Sequence, residues 1–423
     1  MSSHPHRQYI DPLYGSIDLN EHLNNLAQRP IVQRLRHVRL SNVDSIDMPS
    51  IANLSRFEHV LGVAHLSTLL ALRPALNHDE RLLLDASALL HDWAITSFGH
   101  LTEEALQYVG TKFSHEERLR EILLNSDEEL LGADLQIILG RGPGLREWAS
   151  VYSGRNVEST LRAIMDTIQG GGPLGRIISG DIDIDNIDNV YRMAYHMGLR
   201  VDFAVPERLA RSLVGVTDSS RQPIFRKEAR QFIISWQEAR RSVYENLMLA
   251  ERDFVGKLML LYATVRAFEA GEIRVDDWRM FDQQFIARLL DSSTKEVREA
   301  AERWMVGELW TSTPLIWFKG KRPAYPKLLE LSLHLSSTLD RTCFAYGIQD
   351  KRERAVAAHF DSGEAETFGK GSNQWLLGVG SPLKRPFTHR ELKLLIENVT
   401  SRLGTEVIHD QTATSSNGQA WLL

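Results

Sequence analysis

Apolar side chains recur at helical spacing through most of this chain. Leu82, Leu83, Ala86, Leu89 and Leu90 follow the i, i+3, i+4, i+7 rule, and Leu101, Ala105, Leu106 and Val109 repeat it on the next segment. This pattern predicts core-facing helices from about residue 17 to residue 139. The string Gly-Arg-Gly-Pro-Gly at 140–144 and the string Gly-Gly-Gly-Pro at 170–173 break it, leaving room for one or two short helices between them. Helices resume near Ile187. Over 226–270, Phe232, Trp236, Ala239, Val243 and Leu247 keep the period with few breakers, which predicts one or two long helices. After Trp317 the character changes. The polar stretch 361–373 reads as a loop or linker, and 375–379, 389–403 and 406–409 read as strand, helix and strand. No internal repeat interrupts this order. The fold class expected is mainly α, with a small α+β region at the C-terminal end.

At 423 residues the chain exceeds what one core usually serves. We divide it into 1–215, a helical extension over 216–318, and an α+β region over 319–423. Its 43% hydrophobic and 25% charged content is that of an ordinary folded protein. A net charge of -6 gives no global attraction for nucleic acid or an anionic membrane, so neither is expected as a partner. Lys319, Lys321, Arg322 and Lys327 form a local basic group, either an effector site or a solvated loop. The single cysteine, Cys343, cannot form an internal disulfide and fits a reducing compartment. The start of the sequence lacks an apolar signal-like run, and no stretch of about 18 apolar residues occurs, so a cytoplasmic protein is expected. Trp236, Leu247, Leu249, Leu258, Met259 and Leu261 exceed what one helix face needs, which predicts at least a homodimer.

The chemistry begins at His91-Asp92, directly after Leu89-Leu90. An imidazole nitrogen and a carboxylate oxygen at one point of the backbone suit a divalent cation. A hydrogen-bonded structural pair is the alternative. Two further ligand sources lie apart in sequence: Arg56-Phe57-Glu58-His59 upstream, and the acidic run from Asp181 to Asp188 downstream.

Taken in order, residues 9–17 (Tyr-Ile-Asp-Pro-Leu-Tyr-Gly-Ser-Ile), Gln33-Arg34-Leu35-Arg36, Arg56-Phe57-Glu58-His59, His91-Asp92, residues 98–103 (Phe-Gly-His-Leu-Thr-Glu) and His115-Glu116 resemble the HD-domain deoxynucleoside triphosphate triphosphohydrolases. Val190-Tyr191-Arg192, His196-Met197-Gly198 and residues 239–244 extend the likeness, which covers roughly 9–310. The resemblance implies a helical HD-domain fold over 1–215 and one catalytic divalent ion (Fe, Mn, Zn, Ni or Mg). It makes His59, His91, Asp92 and Asp185 the metal ligands, with Asp183 and Asp188 as competitors for the last place. It implies proton transfer by His100, Glu103 and His115, and substrate contacts from Arg56, Asn189 and Tyr244. A salt bridge to a local acid is the alternative for Arg56. It further implies a nucleotide or other phosphate ester as substrate and a dimer or tetramer as the assembly.

The chain departs from the family at several places. Trp93, Ala94 and Ile95 follow the His-Asp pair where relatives have a glycine and a second histidine. Asn189 and Met193 replace a sugar-sensing tyrosine and aspartate, Asn246 and Leu247 replace a histidine and a lysine, and Leu40-Ser41-Asn42 replaces a glutamine-centred stretch. Two other readings therefore stand beside hydrolysis: a nucleotide sensor with little turnover, and a redox enzyme whose His100 and His115 hold a second metal.

Overall fold

The computed structural model describes residues 7–41, 46–115, 117–118 and 144–408. It is mainly helical, with small sheets concentrated toward the C-terminal end. The predicted helices form where the apolar period is strong. Arg56–Leu69 starts at Ser55, whose side chain accepts from the Glu58 amide. His78–Leu90 starts with a capping box between Asn77 and Glu80, and it buries Leu82, Leu83, Ala86, Leu89 and Leu90. Leu145–Tyr152 and Val157–Ile168 fill the space between the two glycine breakers. Of the first breaker only Gly144 is described, at positive φ ahead of Leu145; the rest lies outside the described residues, as do Asn42, Glu116, residues 119–139 and His409.

The long apolar stretch is two helices, Ala229–Leu249 and Glu251–Glu269. Trp236, Leu247, Leu258, Met259 and Leu261 are all buried within the single chain. The surplus apolar surface that motivated an oligomer is thus consumed by the chain's own core, since Glu251–Glu269 is covered on several sides by Leu101–Tyr108, Lys295–Met305 and the C-terminal sheet.

Two short elements escape the sequence pattern. Gln8–Asp11 and Gly15–Asp18 form an antiparallel hairpin where the helical reading had already begun at residue 17; four-residue strands are too short to show alternation. The polar stretch 361–373 is no linker. It contains strand Ala365–Phe368, which pairs with Val356–Phe360 at the edge of its sheet and carries the charge of Glu366 there. That pair continues through Pro223–Phe225, parallel to Val356–Phe360, to Leu213–Val216. A second sheet centres on Gln374–Ser381, flanked by Phe344–Gln349 on one side and Ile316–Lys319 and Thr311–Ser312 on the other. Helix His389–Leu403 forms as expected, and Val407 makes only an isolated bridge to Phe318. No helix among the described residues is long and apolar enough to cross a membrane.

Candidate metal centre

Three helices deliver the central side chains. His59 sits one turn into Arg56–Leu69, His91 and Asp92 follow directly on His78–Leu90, and Asp185 lies in the first turn of Ile184–His196. His59 Nε2 lies 3.2 Å from His91 Nε2 and 3.0 Å from Asp185 Oδ1. His91 Nε2 is 3.5 Å from the same Asp185 oxygen, and Asp92 Oδ2 lies 3.5 Å from His91 Nε2 and 3.7 Å from His59 Nε2. Ligand atoms of His59, His91 and Asp185 all fall within 4.8 Å of one another, a set that can hold a metal ion.

The tautomers support that fit. His59 Nδ1 faces Asp188 Oδ2 at 2.7 Å, and His91 Nδ1 faces the Ala88 carbonyl at 2.9 Å. Both partners accept only, so each Nδ1 carries the proton and each neutral ring turns an Nε2 lone pair inward. Two lone pairs facing each other at this distance repel unless a proton or cation lies between them. Charge tells the same story. Burial disfavours a charged His91, yet Asp92 and Asp185 hold its pKa well above the ordinary value. Burial likewise opposes ionised Asp92 and Asp185, but Arg56 and His91 hold the first low, and His91 and His59 the second. The centre is built for positive charge.

Arg56 is almost fully buried, and its guanidinium donates to Asp92 and, at 2.6 Å, to the Leu40 carbonyl. It therefore makes the salt bridge to a local acid and braces a candidate ligand, rather than standing free for a phosphate. Of the competitors for Asp185, Asp183 caps its own helix by accepting from the Asn186 and Gly180 amides, and Asp188 stands behind His59.

A second group gathers His100, Glu103 and His115. Glu103 Oε2 accepts from His100 Nδ1 at 2.9 Å and from His115 Nδ1 at 3.0 Å, and the two rings meet edge to face. Burial raises the Glu103 pKa, but the two histidines override it and bring it down to about 2. Phe98 (φ 53°) and Gly99 (φ 66°) turn the chain into this segment, and Asp282 Oδ1 accepts from the Phe98 amide at 2.7 Å. Asn189 lies one helical turn after Asp185 and is half-buried. Tyr244 stacks on Arg240 at 4.4 Å, and Arg240 donates to Asn186 beside Asp185. Ile95 is fully buried in the core.

Sequence reasoning gave no role to Asp11, Tyr14, Glu58, Arg192 or His196, which form a partly buried network behind His59. The Asp188–Arg192 spacing of four on a helix was the available signal.

Residues 56–152, the stretch that carries His59, His91 and Asp92, match the HD domain family model. The chain is 24% identical over 69% of its length to an uncharacterized protein of Methanocaldococcus jannaschii, covering 57% of that protein. It is 26% identical over 48% of its length to the deoxynucleoside triphosphate triphosphohydrolase SAMHD1 of Danio rerio, and 26% identical over 46% to that of Homo sapiens, covering 36% and 34% of those proteins. It thus spans only a third to rather over half the length of these curated relatives. Its fold is shared with a phosphohydrolase crystal structure from Bacteroides thetaiotaomicron, at a TM-score of 0.65 and 16% identity, covering 89% of this chain and all of that one.

Proposed function

We propose that this chain is a metal-dependent phosphohydrolase acting on a nucleotide. The observation that carries the reading is the convergence of His59 Nε2, His91 Nε2 and Asp185 Oδ1, with Asp92 beside them, on one point. A divalent cation held there would neutralise charge developing on phosphorus and acidify the attacking water. The chain's own residues do the rest. Asp188 and the Ala88 carbonyl hold the two rings in the ligating tautomer. Arg56 keeps Asp92 ionised and aimed inward. Glu103 accepts hydrogen bonds from Nδ1 of both His100 and His115, so a protonated ring carries its second proton on Nε2 and can give it to the leaving oxygen as the P–O bond breaks.

The name of the SAMHD1 relatives makes a deoxynucleoside triphosphate the first substrate to try. The residues here favour a different grip. Met193 and Leu247 are buried in the core, and Asn246 donates back to the Ser242 carbonyl of its own helix. Metal content per chain, followed by phosphate, pyrophosphate and triphosphate release from a nucleotide panel, tests the proposal. Release that vanishes in Asp185→Ala supports it; absence of release from every nucleotide and simple phosphate ester refutes it. Buried Ile95, in place of a pocket histidine, favours the second reading of nucleotide binding with little turnover, which calorimetry would register as binding without product.

A further inference from the structure

The hairpin Gln8–Asp18 belongs to no part of the chemistry described so far, yet it reaches the back of His59. Asp188 is completely buried and accepts four hydrogen bonds: from His59 Nδ1 and Arg192 Nε on one oxygen, and from the Tyr14 hydroxyl and Arg192 Nη2 on the other. A carboxylate with every lone-pair direction taken cannot rotate or carry a proton, so His59 has one tautomer and one ring orientation. Arg192, also fully buried, spends its remaining nitrogen on Asp11 Oδ2 at 2.8 Å and Glu58 Oε1 at 2.7 Å. Asp11 in turn fixes the hairpin turn, accepting at Oδ1 from the Leu13 and Tyr14 amides at 2.9 Å. Gly62, one turn past His59, gives this assembly its room: a Cβ there would lie 2.0 Å from Asp188 Oδ1 and 2.2 Å from Arg192 Nη2.

We infer that the hairpin is a remote part of the metal centre, with Tyr14 and Asp11 acting through Arg192 and Asp188 as positioning residues that set the affinity of His59 for the ion. This rests on the reading of His59 as a metal ligand. Besides His59, two of the three tethers on Asp188 come from one residue, Arg192, and the third from Tyr14, so losing the tyrosine hydroxyl leaves Oδ1 to Arg192 Nη2 alone without touching the helix itself.

The test is isothermal titration of Mn²⁺ into metal-free full-length chain, with thermal unfolding of the same samples. Tyr14→Phe, which keeps the ring, should weaken Mn²⁺ binding several-fold with the metal-free melting temperature unchanged. Asp188→Asn should weaken it by about 10–100-fold, the usual cost of losing a partner behind a ligating histidine. Gly62→Ala should behave like Asp188→Asn, because it displaces the same pair. Asp185→Ala is the reference and should abolish binding. If Asp185→Ala loses Mn²⁺ while Tyr14→Phe and Asp188→Asn bind like wild type, the hairpin's role is overturned and the metal centre stands. A melting temperature that falls with affinity unchanged overturns it too, since that is mere packing. Mn²⁺ binding that survives Asp185→Ala removes the centre itself and this inference with it. Should Asp188→Asn fail to fold, Tyr14→Phe decides alone.

Discussion

The protein holds two histidine–carboxylate clusters built to opposite rules. Around His59 and His91 the imidazoles are buried, each Nδ1 has its own partner, and the carboxylates behind them are braced by Arg56 and Arg192. Around Glu103 two imidazoles share one carboxylate oxygen, and His100 remains 40% exposed. Buried imidazoles with braced carboxylates suit a cation that must stay; a half-open pair of rings suits protons that must come and go. The difference is between holding charge and moving it.

The sharpest way to break this contrast is to remove one member from each cluster. Asp92→Ala should strip the ion and abolish hydrolysis, with the chain still folded by circular dichroism. One metal per chain in that variant would show the cage to be misplaced. Glu103→Gln should do something different: metal content unchanged, with kcat lower by about 10²-fold because neither imidazole is held. Equal loss of metal in both variants would erase the distinction.

A smaller effect is written in acid. The folded-state pKa of Glu103, about 2, lies below its ordinary value, so its stabilisation is complete above about pH 4.5 and is lost as pH falls toward 2. Wild type should exceed Glu103→Gln by about 1–3 kcal/mol in urea titrations at pH 6, with the gap closing between pH 4.5 and 2. A gap constant across that range contradicts the ion pairing. Smallest of all should be discrimination at the sugar. With half-buried Asn189 and buried Met193 where relatives sense the sugar, we expect deoxynucleotides and ribonucleotides to differ by less than about tenfold in kcat/KM. A ratio near 10⁴ would assign sugar reading to other residues of the chain.

The helices and the His91-Asp92 pair were legible because each announces itself locally. Leu82 to Leu90 repeat at helical period, and His91-Asp92 follows at the point where that helix stops. Asp185 could be chosen over Asp183 and Asp188 only through the resemblance; the geometry then separates the three acids, with Asp185 against His59 Nε2, Asp183 capping its helix and Asp188 behind His59 Nδ1. What stayed hidden depends on distant partners. Tyr14 meets Asp188 across 174 positions, and Arg34 spends its guanidinium on carbonyls of Ile95, Trp278, Arg279 and Met280, contacts that no periodicity encodes. The strand at Ala365–Phe368 was invisible for another reason: Ala365 and Thr367 are exposed, Glu366 is half-exposed, and its only buried side chain is Phe368.

The parallel pairing of Pro223–Phe225 with Val356–Phe360 sets a timetable for folding. During synthesis the antiparallel pair Leu213–Val216 and Pro223–Phe225 leaves the ribosome while Val356–Phe360 is still untranslated. At 5–20 residues per second the wait is on the order of ten seconds, far longer than a helix or hairpin needs to form. Throughout that interval an unpaired strand edge is open to any other extended segment, including the same strand of a neighbouring nascent chain. Slow translation between positions 225 and 360, or crowding of polysomes, should therefore cost soluble yield in a way that substitutions at the metal cage would not.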